Sequence, residues 1–333
     1  MGRLRNLTEY ALLRSVIGVT GLVPAAAGRR IGAALGDLVF DVTRLRRSVV
    51  EDNLATTLGQ FADARSLSRL AREVYRQLGT TLIEYGRVRR MTRERIESLV
   101  TVRGFDHLIA SHEAGHGTIL LTGHFGNWEL LGAVVALRGH PVRFVAKPQR
   151  NPLVDRFLQR TRSHLATGVV LTGGPGVREI LRTLRRNELI GMLADQDAGP
   201  GGLFLDVLGR TASVQTGPAL FAVRSGAPIL PCYIVRRDDG RHDVTFEEAI
   251  TADPAAPEKE EIERLTRAYT ASLERRIMRH PANWYWVHRR WKTRPPGERG
   301  ARAEPVPWTA ADPAVDPAGD VAAGCGERDG GTA

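Results

Sequence analysis

The chain has 333 residues, of which 42% are hydrophobic and 25% charged, so it can build a substantial core in one large domain or two small ones. Its formal net charge of +10 favours an anionic partner but does not choose between nucleic acid, anionic lipid and an acidic protein. Only two cysteines are present, Cys232 and Cys325, which argues against a disulfide framework and fits a cytoplasmic setting.

The N-terminal segment, residues 1–40, is rich in apolar and small residues but is interrupted by Arg14, Pro24 and the pair Arg29 and Arg30. No unbroken piece reaches the ~20 residues that a membrane-spanning helix needs. We therefore expect helices that lie in the membrane interface, with apolar faces in the lipid and arginines at the phosphate headgroups. The alternative is an amphipathic helical hairpin that packs on the domain.

Further along, the chain changes from a helical pattern to an alternation of strands and helices. Residues 41–100 carry apolar side chains at helical spacing, as in Leu67, Leu70, Val74 and Leu78. From residue 118 onward, short apolar runs alternate with amphipathic stretches. We predict strands at 118–122, 142–146, 168–171, 189–194 and 229–235, and helices at 128–137, 152–165, 176–186, 216–224 and 258–279.

This alternation predicts an α/β fold in which a single sheet is flanked by helices on both faces. We expect residues 1–40 to form the membrane-interface segment and residues 41–295 to form the globular domain. Residues 296–333 consist largely of Pro, Ala, Gly and Asp with few aromatic residues, so we expect a disordered tail there.

The most informative segment is LLTGHFGNWELLGAVV at 120–135, in which a buried strand runs into His124, a Gly-Asn turn and an apolar helix. Ligands of open α/β sheets gather at the carboxyl ends of strands, where His124 would lie. Gly126 permits the bend that brings His124 near Glu129 in the first turns of the helix. A neighbouring carboxylate fixes the tautomer of an imidazole, so the pair suits a general base, and the free N–H groups of the helix start suit an oxyanion. The alternative is a buried histidine at a helix start and a glutamate on its exposed face.

Basic residues follow the next predicted strand. Lys147, Arg150 and Arg162 come after residues 142–146, near the same edge of the sheet as His124. Guanidinium and ammonium groups there would hold the phosphates of a lipid headgroup or of a carrier. The alternative is a solvated basic face.

The segment 284–292 combines aromatic and basic side chains, including Trp284, Trp286 and Trp291. Such a mixture suits a membrane interface and would also suit single-stranded nucleic acid. The third possibility is that the aromatic rings pack on the core. We expect core packing together with an anionic contact, and no nucleic acid partner.

The order of several segments resembles the bacterial lipid A late acyltransferases (the lauroyl and myristoyl transferases), which belong to a wider lysophospholipid acyltransferase group. The resemblance covers roughly residues 5–295. Besides H-x4-E, it rests on RRSVVEDNL (46–54), KPQRNPLVDRFLQRTR (147–162), GMLADQDAGPGGLFLDVLGRTASVQTGPALFAVRSGAPILP (191–231) and NWYWVHRRWKTRP (283–295). This sequence departs from the family pattern in the Gly-Pro-Gly-Gly turn at 199–202 and in its long tail.

The resemblance implies a glycerol-phosphate-acyltransferase-like fold and a reaction. An acyl group moves from an acyl carrier protein thioester, or from acyl-CoA, to a hydroxyl of a lipid A precursor, with no covalent intermediate. Catalytic roles map to His124, Glu129, Arg162 and Asp195, although Asp195 and Asp197 could instead cap a turn. The expected substrate-binding residues are Gly126, Asn127, Lys147, Arg150 and Asp197.

No metal or cofactor is expected, because a thioester donor is already activated, and no G-x-S-x-G motif of an α/β-hydrolase is present. The expected location is the cytoplasmic face of the inner membrane. Two alternatives stay open. One is the same chemistry on another glycolipid or lysophospholipid, such as a phosphatidylinositol mannoside. The other is a non-enzymatic protein that binds anionic lipid, in which His124 and Glu129 would be dispensable.

Overall fold

A computed structural model of the chain describes residues 2–88, 91–164 and 167–297. The tail predicted to be disordered, residues 296–333, lies outside this part of the chain except for its first two residues. Within the described ranges, no helix is both long and apolar enough to cross a membrane.

The first hundred residues are helical, as the periodicity predicts. The elements are α1 Gly2–Thr20, α2 Ala25–Leu38, a π-helical turn Val39–Thr43, α3 Arg47–Leu58, α4 Ala64–Val88 and α5 Arg93–Leu99. Helices α2 and α4 meet backbone to backbone, since a Cβ atom on Gly32 would lie only 2.5 Å from Cα of Thr80. Gly36 and Gly79 meet the opposite backbone in the same way. Any larger residue would push the two helices apart.

The same N-terminal helices leave large apolar side chains in solvent. Leu4 is 73% exposed and Leu12 66% exposed on α1, and Leu22 in the turn before α2 is 73% exposed. The N-terminal segment therefore packs on the domain through α2, as in the alternative considered for it, and also presents apolar surface; its placement in a membrane interface stays a prediction. The boundary expected at residue 40 falls inside the π-helical turn.

A seven-stranded sheet forms the centre of the molecule, in the order β1-β9-β8-β2-β5-β3-β4. Five strands, from β8 to β4 in that order, run parallel, while β9 pairs antiparallel with β8, and β1 runs parallel to β9. Its strands are β1 Val100–Arg103, β2 Thr118–Thr122, β3 Val142–Ala146, β4 Thr167–Leu171, β5 Leu189–Leu193, β8 Ile229–Arg236 and β9 His242–Phe246. A separate antiparallel hairpin joins β6 Leu203–Val207 and β7 Arg210–Val214.

The helices between and after these strands are close to those predicted. They are α6 Phe105–Glu113, α7 Trp128–Leu137, α8 Pro152–His164, α9 Gly174–Arg185, α10 Gly217–Ser225 and α11 Glu258–Arg279. The mixed α/β architecture with a large sheet flanked by helices is confirmed. The prediction missed β1, β9 and the β6–β7 hairpin, and the sheet is accordingly mixed and accompanied by a second, small one.

The central strand β2 is buried on both faces. Ile119 and Leu121 of β2 belong to one hydrophobic cluster, and Leu120 between them belongs to the other. Side chains alternate across a strand, so these two clusters are the two faces of the sheet. Helices α3, α4, α9, α10 and α11 contribute to the first cluster, and α5, α6 and α7 to the second.

The register of β2 and β5 decides what meets at their carboxyl ends. Thr122, the last residue of β2, pairs with Leu193, the last residue of β5. The backbone N–H of Ala194 then donates to the carbonyl of Thr122 at 3.2 Å. Because the strands are parallel and end level, the residues two positions beyond each strand emerge side by side. Those residues are His124 and Asp195.

Candidate active site

His124 and Asp195 contact each other through both backbone and side chain. Oδ1 of Asp195 lies 2.8 Å from Nδ1 of the imidazole. Oδ2 of Asp195 accepts the backbone N–H of His124 at 2.7 Å and the indole N–H of Trp284 at 2.9 Å. Asp195 is 2% exposed. With two N–H donors on Oδ2, Oδ1 is left as the acceptor for the imidazole, which then carries its proton on Nδ1. Nε2 therefore has the lone pair that a general base needs.

Two aromatic rings hold the imidazole in place. The ring centroid of His124 lies 5.1 Å from that of Trp128 and 5.7 Å from that of Tyr285. The His124 side chain nevertheless keeps 24% of its surface exposed. The ring is therefore both restrained and within reach of a substrate. The sequence offered no signal for this arrangement, because Tyr285 comes from the far end of the chain.

His124 and Asp195 each shift the pKa of the other in the direction that favours its charged form. Burial by itself would lower the pKa of His124, but the carboxylate of Asp195, with a smaller effect of Glu129, raises the pKa above its ordinary value. Burial would raise the pKa of Asp195, but the imidazole and the hydrogen bonds from His124 and Trp284 hold the pKa below its ordinary value. Asp195 is therefore ionised at neutral pH and stabilises an imidazolium at His124.

Glu129 makes a different contact from the one predicted. Its carboxylate binds the guanidinium of Arg162, with Nη2 of Arg162 2.6 Å from Oε1 and Nε 3.1 Å from Oε2. Both side chains are largely buried, at 14% exposure for Glu129 and 20% for Arg162. Within the part of the chain that the structure describes, the carboxylate bonded to the imidazole is Asp195. Glu129 acts on His124 only through its charge. The predicted direct contact between His124 and Glu129 is corrected accordingly, because α7 turns Glu129 toward α8.

Gly126 and Asn127 support the site without lining it. Gly126 adopts a left-handed backbone conformation, with φ of 48°, and a Cβ atom there would lie 2.5 Å from the carbonyl of Ile234. Asn127 is fully buried, and its Oδ1 accepts the backbone N–H of Leu130, which caps α7. Nδ2 of Asn127 donates to Glu84 at 3.0 Å. Both residues shape the turn that carries Glu129, and the substrate-binding role predicted for them stays a prediction.

Two cavities meet at Glu129 and Arg162. The larger, of about 720 Å³, is mainly apolar and is lined by leucine side chains of α2, α4 and α8 together with Val39, Val287 and aromatic rings. The other, of about 440 Å³, contains His124 and Lys147 and extends along the carboxyl ends of β3 and β5. Trp128 and Gln196 line both. Cavities of this size accommodate small ligands or single chains of larger ones.

The remaining predicted residues are divided between the site and its surroundings. Lys147 lines the cavity that contains His124, while Arg150 is exposed and lines neither cavity. Asp197 lines the His124 cavity but is held by its own neighbours, since Oδ2 accepts from Thr293 at 3.0 Å and lies 3.5 Å from Nζ of Lys292. Across the described ranges, no group of three or more His, Cys, Asp and Glu side chains is arranged to hold a metal ion.

The aromatic segment near the C-terminus packs on the core, as expected. Trp284 is 3%, Trp286 0% and Trp291 5% exposed, and the three rings contact one another. Arg290 is also buried and donates to the carbonyl of Ser213 at 2.6 Å. The aromatic rings of the segment therefore pack on the core and Trp284 holds the loop of Asp195, while the basic Arg289 and Lys292 remain exposed. Its direct contribution to the site through Trp284 was missed, because sequence gives no indication of a contact across 89 positions.

Comparison with known proteins agrees with this geometry. The sequence profile of the family described as bacterial lipid A biosynthesis acyltransferase matches residues 3–293. A lipid A biosynthesis palmitoleoyltransferase of Escherichia coli (strain K12) is 28% identical over 80% of this chain and 86% of its own. A lipid A biosynthesis lauroyltransferase of the same strain is 27% identical over 87% of this chain and 94% of its own.

A second group of relatives carries a different acceptor in its name. A phosphatidylinositol mannoside acyltransferase of Mycobacterium tuberculosis (strain CDC 1551 / Oshkosh) is 29% identical over 57% of this chain and 59% of its own. Both groups are acyltransferases. The match of the family profile over nearly all of the described residues identifies the protein as an acyltransferase and a member of the bacterial lipid A biosynthesis acyltransferase family.

Proposed function

We propose that the protein transfers a fatty acyl chain from an acyl carrier protein thioester to a hydroxyl of a lipid A precursor, at the cytoplasmic face of the inner membrane. Family membership and the names of the two Escherichia coli relatives support the acceptor. The observation that carries the mechanism is the buried Asp195 carboxylate on Nδ1 of a reachable His124, beside an apolar cavity.

His124 acts as the general base. Nε2 removes the proton of the acceptor hydroxyl as its oxygen attacks the thioester carbonyl carbon, forming a C–O bond. The tetrahedral intermediate collapses by breaking the C–S bond, and the imidazolium returns its proton to the departing thiolate. Asp195 stabilises the imidazolium between these two steps and keeps the lone pair on Nε2. In the first turn of α7 the N–H of Leu130 is used by the Asn127 cap, and the N–H groups of Trp128 and Glu129 suit the oxyanion.

Glu129 and Arg162 act together where the two cavities join. Both bonds of Glu129 to the guanidinium fix the plane of Arg162. A fixed guanidinium binds phosphate or a developing oxyanion with defined geometry, which a flexible lysine would not. Glu129 thus orients Arg162 and adds negative charge near His124, which favours proton transfer to the imidazole.

The apolar cavity is proposed to hold the acyl chain. Leu35, Leu78 and Leu158 line it from three helices, and it reaches Glu129 and Arg162 at its inner end. Leu45 also lines it and is itself 66% exposed, so the apolar lining continues to the molecular surface. A chain entering there would keep its hydrocarbon out of water along its whole path.

Attachment to the membrane surface is proposed to involve α1 and the turn before α2. Their exposed Leu4, Leu12 and Leu22 would enter the lipid, and Arg3 and Arg14 on α1 would meet anionic headgroups. The excess of basic residues over the whole chain favours the same surface.

A second candidate acceptor is a phosphatidylinositol mannoside. The observation in its favour is the match to the mycobacterial relative, whose percentage identity is as high as that of the lipid A enzymes although it covers less of the chain. The chemistry at His124 is the same for both acceptors. Only the sugar and phosphate contacts would differ.

A competition assay tests the proposal. Purified protein is given acyl carrier protein charged with a fatty acid, with a lipid A precursor and a phosphatidylinositol mannoside in equal amounts, and products are measured by mass spectrometry. Acylation of the lipid A precursor is expected, and His124→Ala is expected to lower its rate by about a hundredfold or more. His116→Ala, an exposed histidine outside both cavities, is the control. Transfer to neither acceptor, or undiminished transfer by His124→Ala, contradicts the proposal.

A further inference from the structure

A third cavity, of about 440 Å³, lies away from His124. It is enclosed by α2, the C-terminal end of α4, α5 and the turn between β8 and β9, with Asn127 and Leu130 at the start of α7 also in its lining, and it shares no lining residue with the two cavities of the candidate active site. Four arginines from these four elements line it: Arg29, Arg87, Arg95 and Arg241. A concentration of positive charge at one cavity requires an explanation, because like charges held together destabilise a fold.

The carboxylates at this cavity do not neutralise all of its arginines. Glu84 lines the cavity but is bound by Arg236, a residue outside it, through bonds of 2.9 and 2.7 Å. Asp239 is bound by Arg241, with Nε of Arg241 2.8 Å from its Oδ2. Each of the two carboxylates is therefore already paired with one arginine. Among the described residues, the side chains of the other three arginines have neither a carboxylate partner nor a hydrogen-bond acceptor.

The two innermost of these arginines are held by the packing of glycines. The guanidinium of Arg87 passes 3.6 Å from the position that a Cβ atom on buried Gly28 would take. The guanidinium of Arg29 lies so close to Gly240 that a Cβ atom there would overlap it. Burial and the neighbouring Arg95 and Arg29 lower the pKa of Arg87 below its ordinary value. The arginines are therefore close enough to repel one another. They fit beside Gly28 and Gly240 because these two residues have no side chain.

A buried histidine that lines the same cavity has one ring nitrogen without a hydrogen-bond partner among the described residues. His242 is 2% exposed and lines the cavity, and its Nε2 lies 3.6 Å from Oε1 of Glu84. Its Nδ1 is buried and, as far as the described residues show, makes no hydrogen bond. A buried polar atom without a partner costs about 1–3 kcal/mol, so such atoms commonly mark a missing ligand or water.

We propose that this cavity binds a phosphate group. Guanidinium groups bind phosphate oxygens in bidentate fashion, and three of them around one cavity, beside the imidazole of His242, match the several oxygens of a phosphate. Binding would remove the repulsion between the arginines and place the phosphate beside the imidazole of His242. This site is separate from the proposed reaction at His124 and does not depend on it.

The phosphate has two possible sources with the same chemistry. One is the headgroup of an anionic phospholipid, since Arg29 lies on α2, which follows the turn with the exposed Leu22 and also carries Ile31, which is 48% exposed. The other is a soluble phosphate ester. Inorganic phosphate probes the shared chemistry, and phosphatidylglycerol vesicles with a phosphatidylcholine control separate the two sources.

The imidazole signals in a nuclear magnetic resonance spectrum report each site separately. The full-length protein is labelled with ¹³C at histidine, and the signals of His242 and His124 are assigned from the spectra of His242→Gln and His124→Ala. Titration with inorganic phosphate is expected to move the His242 signal in a saturable manner. Replacing Arg87 and Arg95 together by glutamine is expected to weaken this binding by about tenfold or more. Arg93→Gln is the matched control, since Arg93 lies on the same helix as Arg95 but pairs with Glu97 outside the cavity.

The outcomes are distinct. Movement of the His242 signal by phosphatidylglycerol vesicles supports a lipid headgroup, and movement by inorganic phosphate alone supports a soluble ester. An unmoved His242 signal with both probes overturns the proposal, as does equal affinity of the double variant and the Arg93→Gln control. An unchanged His124 signal in the double variant verifies its fold. If the double variant does not fold, Arg95→Gln alone serves, because Arg95 is exposed. Transfer activity is measured in parallel, so a failure at His124 is not confused with a failure here.

Discussion

Asp195→Asn replaces one oxygen of the buried carboxylate by an amide NH₂, and the surrounding hydrogen bonds decide which one. Oδ2 accepts two N–H donors, from the His124 backbone and from the indole of Trp284. An NH₂ group there would face two donors, so the amide oxygen must take that position. The NH₂ group then faces Nδ1 of His124, at the position where Oδ1 lies at 2.8 Å. The imidazole must accept that bond, which moves its proton to Nε2 and removes the general base.

The expected loss of rate follows from this reversal of tautomer. Removing or misorienting a general base costs about 10²- to 10⁴-fold in rate, or about 3–5 kcal/mol in the activation free energy. The expected loss of stability is smaller. Two N–H bonds to an ionised oxygen become bonds to a neutral one, a loss of about 1–2 kcal/mol and a few degrees in melting temperature.

The pH profile of transfer gives a second readout. The wild-type pKa of His124 lies above its ordinary value because of Asp195, so activity is expected to fall as the pH decreases through that raised pKa. Without the carboxylate, the His124 pKa decreases, because burial then dominates. The acidic limb of the profile in Asp195→Asn should therefore move to lower pH while the plateau drops. The contribution of Asp195 to stability is also lost toward low pH: the depressed pKa of Asp195 stabilises the fold above the pKa of the unfolded chain, and this contribution disappears as the pH falls through the folded value.

Asp197→Asn is the matched control for both measurements. Asp197 lies on the same loop, its side chain is 1% exposed, and it binds Thr293 and Lys292 rather than the imidazole. It is expected to lose stability without moving the acidic limb. Near wild-type transfer by folded Asp195→Asn would refute the reasoning, as would a loss of activity with an unmoved acidic limb, since either result would separate Asp195 from the protonation of His124.

Three further substitutions test other contacts. Arg162→Lys is expected to lower turnover about tenfold or more, because an ammonium cannot keep the bidentate contact with Glu129. A lowered melting temperature with full activity of the folded fraction would instead indicate that the pair of Arg162 and Glu129 is purely structural. Trp284→Phe removes one N–H bond from the buried carboxylate, worth about 1 kcal/mol, and should slow transfer about fivefold in steady-state assays; an unchanged rate would show that this bond does not position the carboxylate. Leu12→Asp combined with Leu22→Asp should reduce cosedimentation with anionic vesicles at least tenfold. The melting temperature should not change, since both side chains are exposed. Undiminished binding would place the membrane contact elsewhere.

The structure also bears on how the N-terminal segment can be tested. Deleting residues 1–40 would remove α2, whose glycines lie directly on the backbone of α4. Such a deletion would expose the buried face of α4 as well as remove the proposed membrane contact. Substitution of the exposed leucines avoids this, because it changes the surface and leaves the α2–α4 packing intact.

Periodicity and turn residues by themselves determined most elements of the domain. The helix predicted at 128–137 and the strands at 118–122 and 142–146 have those bounds in the structure, and α11 spans the predicted 258–279. These segments are long or uniformly apolar, so the local pattern is sufficient. The strands at 100–103 and 242–246 were missed. They lie near one side of the sheet, and in each of them apolar residues alternate with charged or polar residues, which gives a weak local signal.

The residue types of the site could also be found from the sequence, but their partners could not. H-x4-E places a histidine and a glutamate close in the chain, which suggested that they meet. In the structure His124 meets Asp195, which is 71 positions away, and Glu129 meets Arg162, which is 33 positions away. The first contact exists because β2 and β5 are neighbours that end level, and the second because α7 turns one face toward α8. Strand order, register and helix rotation are set by packing of the whole core, and spacing along the chain carries no information about them.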